Sequence, residues 1–172
     1  ALIKESFSLR DSLVLLNEAN NSRPYFPPIV KKLISSLIDD NQISKARKIL
    51  FRSWSFEPHQ IYFEELIKIV KKEDTNLISI INKITNSNNN HYESIIAKVK
   101  ANIIETKWEE AKNIIKPILS NRPTKTICEL MSKIELGISG NVQKANSWIS
   151  RSQLGDREKT WICKYTGIEQ DQ

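Results

Sequence analysis

The stretch QISKARKIL at Gln42–Leu50 has counterparts in KWEEAKNII at Lys107–Ile115 and NVQKANSWI at Asn141–Ile149. Two more stretches follow the same nine-residue pattern, SLRDSLVLL at Ser8–Leu16 and EDTNLISII at Glu73–Ile81. The five copies begin at positions 8, 42, 73, 107 and 141, so their spacing is 34, 31, 34 and 34 residues. A period of this length predicts repeated structural units, each of which buries its apolar face against its neighbours.

Small residues and prolines recur at fixed places relative to these copies. The fifth residue of the five copies is Ser12, Ala46, Leu77, Ala111 and Ala145. Twelve residues later, three copies have a proline: Pro24, Pro58 and Pro123. A small side chain lets two helices approach closely. Each proline is predicted to end one hairpin and start the next helix, because proline fits the first turn of a helix but not its interior. The chain therefore resembles tetratricopeptide (TPR) repeats, with the Leu77 copy expected to be degenerate.

The predicted fold class is all-α, a TPR-like solenoid of antiparallel helix pairs in a right-handed superhelix with a short non-repeat C-terminal tail. Apolar residues at helical spacing before each nine-residue copy predict the first helix of each pair. The predicted helices span residues 4–21, 27–40, 42–54, 58–72, 74–86, 91–105, 107–120, 124–139 and 141–152. The predicted pairs lie near 1–22, 27–54, 58–86, 91–120 and 124–152 within one domain, 1–152, and 153–172 forms a capping tail.

Several residues predict where helices are interrupted. The sequence NSNNN at Asn86–Asn90 predicts a polar turn inside the domain, because the period continues through it. Pro117 should kink or end its helix early. Gly137 and Gly140 should bracket a helix end and a tight turn. Trp161–Tyr165 is expected to be extended.

The chain is expected to be a piece of a longer protein. At the N-terminus, the first copy needs a partner helix, and only seven residues precede it. The tail is expected to be truncated too, because it ends at Gln172 with no stop feature. It has no run of about 20 apolar residues of the kind that crosses a bilayer. No signal peptide is visible in it either.

No metal site or cofactor is predicted from the cysteines and histidines. Cys128 lies in an apolar helical stripe and is expected in the core, whereas Cys163 lies in the tail. They form no CxxC motif, and neither His59 nor His91 has a ligand spacing to Cys163.

The charge pattern permits two interpretations. The net charge is +6, and Lys45, Arg47, Lys48 and Arg52 form a basic strip on one predicted helix. A solvated outer face is the simpler interpretation, and contact with nucleic acid or an anionic membrane is the alternative. Nucleic acid is disfavoured because no recognised binding motif occurs. The four tryptophans are expected mainly in the core: Trp54, Trp108, Trp148 and Trp161.

Catalytic motifs are missing from the sequence, so the chain is predicted not to be an enzyme. It contains no Gly-rich phosphate loop, no HExxH and no GxSxG. The adjacent carboxylates Glu64–Glu65 and Glu109–Glu110 point to different helix faces and are predicted to be surface charge.

The second half of the chain carries a more specific resemblance. It reads KWEEAKNIIKPILSNRPTKTICELMSKIELGISGNVQKANSWISRS and then REKTWICKYTG. The first half contributes KARKILFRSW followed by Pro58-His59. With its Arg122-Pro123-Thr124 turn and its Trp161-x-Cys163 tail, the chain is similar to the C-terminal region of the HemY family. These are TPR-containing inner-membrane proteins associated with haem biosynthesis in bacteria.

The resemblance implies a location and a partner. Family members have two membrane helices upstream of this region, so membrane attachment is expected through a missing N-terminal segment. Basic residues after the second helix would place the domain on the cytoplasmic face. The implied partner is a protein or peptide, such as a late haem-pathway enzyme or substrate carrier.

The TPR register also predicts a binding groove lined by the first helix of each pair. Its candidate residues are Lys31, Ser35, His59, Tyr62, Glu93 and Lys100. Mixed charge along a groove suits a peptide or a partner helix. The leading hypothesis is a non-catalytic interaction scaffold. The alternatives are direct haem or porphyrin binding through His59, His91 and basic residues, and nucleic-acid or anionic-surface binding through the basic strip.

Overall fold

The computed structural model describes residues 9–120, 122–153, 161–162 and 169–170. Within them lie nine α-helices: α1 Leu9–Ser22, α2 Pro27–Asp39, α3 Ile43–Phe56, α4 Phe63–Glu73, α5 Leu77–Thr85, α6 Tyr92–Ile104, α7 Trp108–Ile115, α8 Lys125–Ser139 and α9 Val142–Ser152. Three short 3₁₀ helices span Gln60–Tyr62, Asn86–Asn88 and Lys116–Ile118. Two short strands, β1 Trp161–Ile162 and β2 Glu169–Gln170, pair antiparallel, with Trp161 opposite Gln170 and Ile162 opposite Glu169. The described chain is therefore helical apart from this strand pair, which confirms the predicted all-α class.

The order of the helices follows the sequence prediction closely. Pro117 does end its helix early, because α7 stops at Ile115 and tightens into the 3₁₀ turn that contains the proline. Part of the predicted extended segment is the strand β1, and residues 163–165 lie outside the described residues, as do most of the predicted capping tail and Cys163.

The chain divides into two compact units, with the boundary between Asn89 and Asn90. That boundary falls in the polar turn that the sequence predicted to lie inside one domain. The turn is also tied to the N-terminal unit, because the Asn88 side-chain amide donates to the carbonyls of Trp54 (3.1 Å) and Ser55 (3.0 Å) at the end of α3.

In the N-terminal unit, each helix packs on the next helix along the chain. We call α2, α4, α6 and α8 first helices, and α3, α5, α7 and α9 second helices. The first helices α2 and α4 contact each other, and so do the second helices α3 and α5. Fully buried side chains fill the space between these two layers: Leu33, Leu37, Ala46, Leu50, Trp54, Leu66 and Ile69. Burial of these faces is what holds the short helices in place.

In the C-terminal unit, consecutive helices also pack on each other. The first helices α6 and α8 contact each other, and α7 lies against both of them. Its core holds Ile96, Val99, Ala111, Ile115, Ile127, Leu130, Met131 and Ile134. Cys128 is fully buried, as predicted. Of the tryptophans, Trp54 is fully buried while Trp108 and Trp148 are half-buried.

The small residues occupy the expected buried sites in three of the second helices. Ala46, Ala111 and Ala145 are each the fourth residue of their helix and are at most 5% exposed. In α5, however, Leu77 is the first residue, and the fourth is Ile80. The nine-residue copy at 73–81 was thus placed three residues early. The residues that directly precede the second helices are Gln42, Asn76, Lys107 and Asn141. Their spacing is 34, 31 and 34 residues, so the shorter step lies between α5 and α7 and not before α5.

The repeated prolines end hairpins but do not begin helices, contrary to the prediction. Pro24, Pro58 and Pro123 all lie in the connections, two or three residues before the next helical turn. In α2 the first helical position is taken by a different proline, Pro27. Proline's fixed φ and missing N–H suit both kinds of position, which is why sequence alone did not separate them.

Each helix pair reverses direction at one residue in the left-handed conformation. These residues are Asn41, Asp74, Thr106 and Gly140, with φ of 58°, 49°, 56° and 62°. Beside three of them, a backbone N–H donates to the carbonyl five residues earlier: Gln42 to Leu37, Thr75 to Val70 and Lys107 to Asn102. This is the Schellman arrangement, which satisfies carbonyls at a helix end. Of these four residues, only Gly140 was predicted to lie at a tight turn.

Gly137 serves a different purpose from the one predicted. It lies inside α8, not at its end, and the Trp108 ring packs directly over it. A Cβ on residue 137 would lie 2.3 Å from Cδ2 of that ring. The glycine therefore admits the half-buried tryptophan between α7 and α8.

Candidate functional site

Two predicted groove residues lie on the surface formed by α2 and α4. The Lys31 ammonium lies 3.8 Å from a carboxylate oxygen of Glu64, and both groups are substantially exposed. Ser35, one turn further along α2, is half-buried. The N-terminal unit thus presents a mixed-charge surface across its first helices, which we call the first-helix surface (Lys31, Ser35 and Glu64).

The neighbouring Glu65 corrects a prediction, because it is only 2% exposed and is not surface charge. The Lys68 ammonium donates to both of its carboxylate oxygens, at 3.2 and 3.0 Å. The other three members of the two sequence-adjacent carboxylate pairs are exposed as predicted: Glu64, Glu109 and Glu110.

His59 has a structural partner at the start of the next helical turn. Its Nδ1 accepts a hydrogen bond from the Ile61 N–H at 3.1 Å. Burial lowers the pKa of His59, and the nearby Glu57 carboxylate opposes that shift. The imidazole is therefore held neutral with Nδ1 as acceptor, as a helix-capping group.

Tyr62 is fully buried, so its ring takes part in the core and is not on a surface in this structure. The ring lies 6.4 Å from Trp54 and 6.2 Å from His59, centroid to centroid. Burial raises the pKa of Tyr62, and Glu57 raises it further. Its hydroxyl oxygen makes no hydrogen bond to any residue that the structure describes.

The other two predicted residues lie on α6 in the C-terminal unit. Glu93 and Lys100 are both half-buried, and seven residues apart they share one face of the helix. His91 caps α6 as His59 caps its own turn, with Nδ1 accepting from the Glu93 N–H at 3.2 Å. The structure therefore brings Lys31 and Ser35 together on one helix, and Glu93 and Lys100 on another.

The capping role of the histidines opposes the haem alternative. An imidazole that binds iron through Nε2 normally carries its proton on Nδ1. In this structure Nδ1 of both His59 and His91 accepts a hydrogen bond, so ligation through Nε2 would break each cap. Within the described residues, no three His, Cys, Asp or Glu side chains converge as a metal site requires.

The predicted basic strip lies on α3. Arg47 is paired with Glu73, with 3.2 Å between guanidinium nitrogen and carboxylate oxygen. Lys45, Lys48 and Arg52 are exposed, and no carboxylate of a described residue forms an ion pair with them. The helix itself, ISKARKILFRSWSF, contains no acidic residue.

A cavity that was not predicted from the sequence lies beside this strip. Its volume is about 250 Å³, and it is lined by Asn20, Asn21, Pro24, Tyr25, Ile49, Arg52 and Ser53. Asn20 Oδ1 is buried and accepts no hydrogen bond from any described residue. Tyr25 has a φ of 63° and stacks on Phe56 with the ring centroids 4.4 Å apart. Such contacts depend on backbone conformation, which residue spacing does not reveal.

Cys128 belongs to the core of the C-terminal unit. Its side chain is buried, and burial raises the pKa of the thiol. A thiol with a raised pKa is a poor nucleophile at neutral pH.

None of the described helices is long and apolar enough to cross a bilayer. Comparison with known proteins found no match among protein-family models, curated proteins or solved structures.

Proposed function

We propose that this chain is a non-catalytic repeat scaffold that binds a protein partner. The observation that carries the proposal is the recurrence of one unit, a first helix, a left-handed turn and a second helix, at Asn41, Asp74, Thr106 and Gly140. Repeated hairpins of this kind offer an extended surface built from equivalent helix faces, which suits binding of a peptide or a partner helix.

The finer parts of the proposal rest on the sequence. The hairpins are proposed to stack as TPR-like repeats in a right-handed superhelix. The similarity to the HemY family supports a role beside a late haem-pathway enzyme or carrier. On the same ground, the whole protein is proposed to act at the cytoplasmic face of a bacterial inner membrane, attached through an N-terminal segment.

The first-helix surface is the proposed partner site in the N-terminal unit. Lys31 and Glu64 present opposite charges 3.8 Å apart on neighbouring first helices, and Ser35 lies beside them. Exposed pairs of this kind contribute little to stability, about 0 to 1 kcal/mol. Their charges can therefore be reversed with little effect on folding, which makes the surface open to test.

The test is partner capture by crosslinking in the protein's own cell, followed by mass spectrometry. The variant Lys31→Glu with Lys100→Glu reverses one charge on a first helix of each unit. Its matched control is Lys133→Glu with Lys144→Glu, two exposed lysines elsewhere. We expect a protein partner that is recovered with the wild type and the control and is lost with the Lys31, Lys100 variant.

Three other outcomes would each remove part or all of the proposal. An unchanged partner list in the Lys31, Lys100 variant would place the binding surface elsewhere. Recovery of no protein partner by the wild type would exclude the scaffold function itself. Partners unrelated to haem synthesis would remove the haem association and leave the scaffold.

A further inference from the structure

The strongest unassigned feature of the molecule is the cavity beside α3 together with the cations that adjoin it. Lys45, Ile49, Arg52 and Phe56 follow one another at intervals of three or four residues, so they lie along one face of α3. Lys48 flanks the same face. From Lys45 to Arg52 the stripe extends about 10 Å along the helix axis.

We propose that this stripe and its cavity bind an acidic peptide segment of a protein partner. We call this part of the surface the acidic-peptide site, and it comprises Asn20, Tyr25, Lys45, Ile49, Arg52 and Phe56. The proposal rests on the proposed scaffold function and adds a second contact to the first-helix surface, with the chemistry by which that contact holds the partner.

Charge decides the class of ligand. The exposed cations Lys45, Lys48 and Arg52 are free of ion pairs with the described residues, and α3 supplies no carboxylate. Three cations spread over two helical turns match several carboxylates along a segment better than one terminal carboxylate. Arg52 at the cavity edge can pair with a carboxylate in bidentate geometry.

The buried acceptor distinguishes a peptide from a simple polyanion. Asn20 is one of the residues that line the cavity, and its Oδ1 is buried and accepts no hydrogen bond from a described residue. A buried acceptor without a donor is unfavourable, so an N–H donor that reached this oxygen would be bound favourably. A peptide brings N–H donors together with its carboxylates, whereas a phosphate group brings only acceptors.

Apolar contacts complete the site. Ile49 and Pro24 form part of the cavity wall, and Phe56 is 66% exposed although it stacks on Tyr25. Tyr25 is held at a φ of 63°, a conformation that a non-glycine residue adopts at a cost. Backbone strain of this kind is concentrated at ligand-binding sites. The expected ligand therefore has an apolar residue between its acidic residues.

The test uses the purified chain and a library of twelve-residue peptides. Every peptide has two glutamates four positions apart, with a varied apolar residue between them. Peptides of the library that bind the chain are isolated, and fluorescence anisotropy gives the Kd of each for the chain. We expect Arg52→Glu to weaken binding about tenfold or more, since it replaces attraction by repulsion at the cavity edge. The milder Arg52→Gln should weaken it less.

Two further variants separate binding from folding. Asn20→Leu removes the buried acceptor, so it should leave the Tm unchanged or raised while weakening peptide binding about threefold or more. Lys133→Glu makes the same charge change on an exposed position of α8 and should change the Kd less than about twofold.

The proposal is overturned if the library yields no binder, or if peptides with glutamine in place of glutamate bind equally well. It is also overturned if single-stranded DNA or phosphatidylglycerol vesicles bind with a stronger dependence on Arg52 than any peptide does. In the cell, a partner that is retained by Arg52→Glu and lost by the Lys31, Lys100 variant would refute this site alone. Failure to capture any partner would instead refute the scaffold function.

Discussion

At the residue scale, Thr106 is the clearest source of strain at a helix end. Its φ is 56°, and a β-branched side chain is disfavoured in the left-handed region. Asn41 and Gly140 occupy the same position in other hairpins with residues that accept this conformation at lower cost.

Replacing Thr106 by asparagine should therefore stabilise the protein. We expect Thr106→Asn to raise the free energy of unfolding by about 1 kcal/mol, measured by urea denaturation. Gly140→Ala is the matched control in the opposite direction, because a Cβ there would have no neighbour within 4 Å and only the backbone would be strained. A loss of stability in Thr106→Asn would mean that the threonine side chain makes a compensating contact.

Gly137 tests the contact between α7 and α8. Gly137→Ala should lower the free energy of unfolding by about 1 to 3 kcal/mol, because the new Cβ would overlap the Trp108 ring. If the ring is the cause, the same substitution made in a Trp108→Leu background should cost clearly less. Equal losses in the two backgrounds would assign the effect to something other than the ring.

His59 makes stability depend on pH. Burial lowers its pKa below the ordinary value of 6.5, so the unfolded chain binds the proton more readily than the folded chain. Its contribution is present above pH 6.5 and is lost as the pH falls from there through the lowered pKa.

We expect His59→Asn to lose less stability than the wild type between pH 7.5 and pH 5, because asparagine keeps a capping acceptor and does not titrate. Urea midpoints at the two pH values give the comparison, in which all other titrating groups are common to both proteins. Identical pH dependence in the two proteins would count against the capping role of the imidazole.

At the element scale, α5 shows why a repeat register can be misplaced. Leu77–Ile84 is so rich in isoleucine that it fits a helical period at more than one offset. The decisive residue is polar, since Asn76 Oδ1 accepts from the Ser79 N–H at 2.9 Å and fixes where the helix begins. A search for caps would have placed the start correctly where matching of apolar positions did not.

The Asn76 cap should matter more than its exposure suggests. With nine residues α5 is short, and Asn76→Ala should lower the free energy of unfolding by about 1 kcal/mol. Asn76→Asp keeps the acceptor and should retain most of the stability. If the alanine variant is as stable as the wild type, tertiary contacts alone set the start of α5.

At the scale of the whole molecule, the prediction of helices succeeded because burial of one apolar face determines them. Helix number, order and approximate bounds follow from the spacing of apolar residues and from breakers such as Pro117. The residues that line surfaces were predicted less accurately than the helices. Tyr62 was predicted on a groove and is buried, because helical period alone does not say which side of a helix a further neighbour covers. The cavity at Asn20 is lined by Tyr25, whose backbone is left-handed. No sequence motif predicts that backbone conformation.

The division into two units predicts local stability. Leu50 in the N-terminal unit and Ile134 in the C-terminal unit are both fully buried. In repeat proteins stability is approximately a sum of local terms, so each truncation to alanine should act mainly on its own unit.

Hydrogen exchange followed by mass spectrometry gives the measurement. We expect Leu50→Ala to reduce amide protection chiefly in α2 to α5, and Ile134→Ala to reduce it chiefly in α6 to α9. Each truncation should cost about 2 to 5 kcal/mol locally. Equal loss of protection throughout the chain in both variants would show a single cooperative unit.

The left-handed residues at which paired helices reverse direction are positions where stability can change during evolution. Asparagine, aspartate, threonine and glycine all occupy them, so the backbone conformation is kept while the side chain is not. Substitutions at these joints change the unfolding temperature without touching the faces that would meet a partner. A lineage moving to a warmer habitat could therefore raise its thermal tolerance by single substitutions at Asp74 and Thr106, where neither asparagine nor glycine is yet present. Its recognition surfaces would stay free to evolve separately.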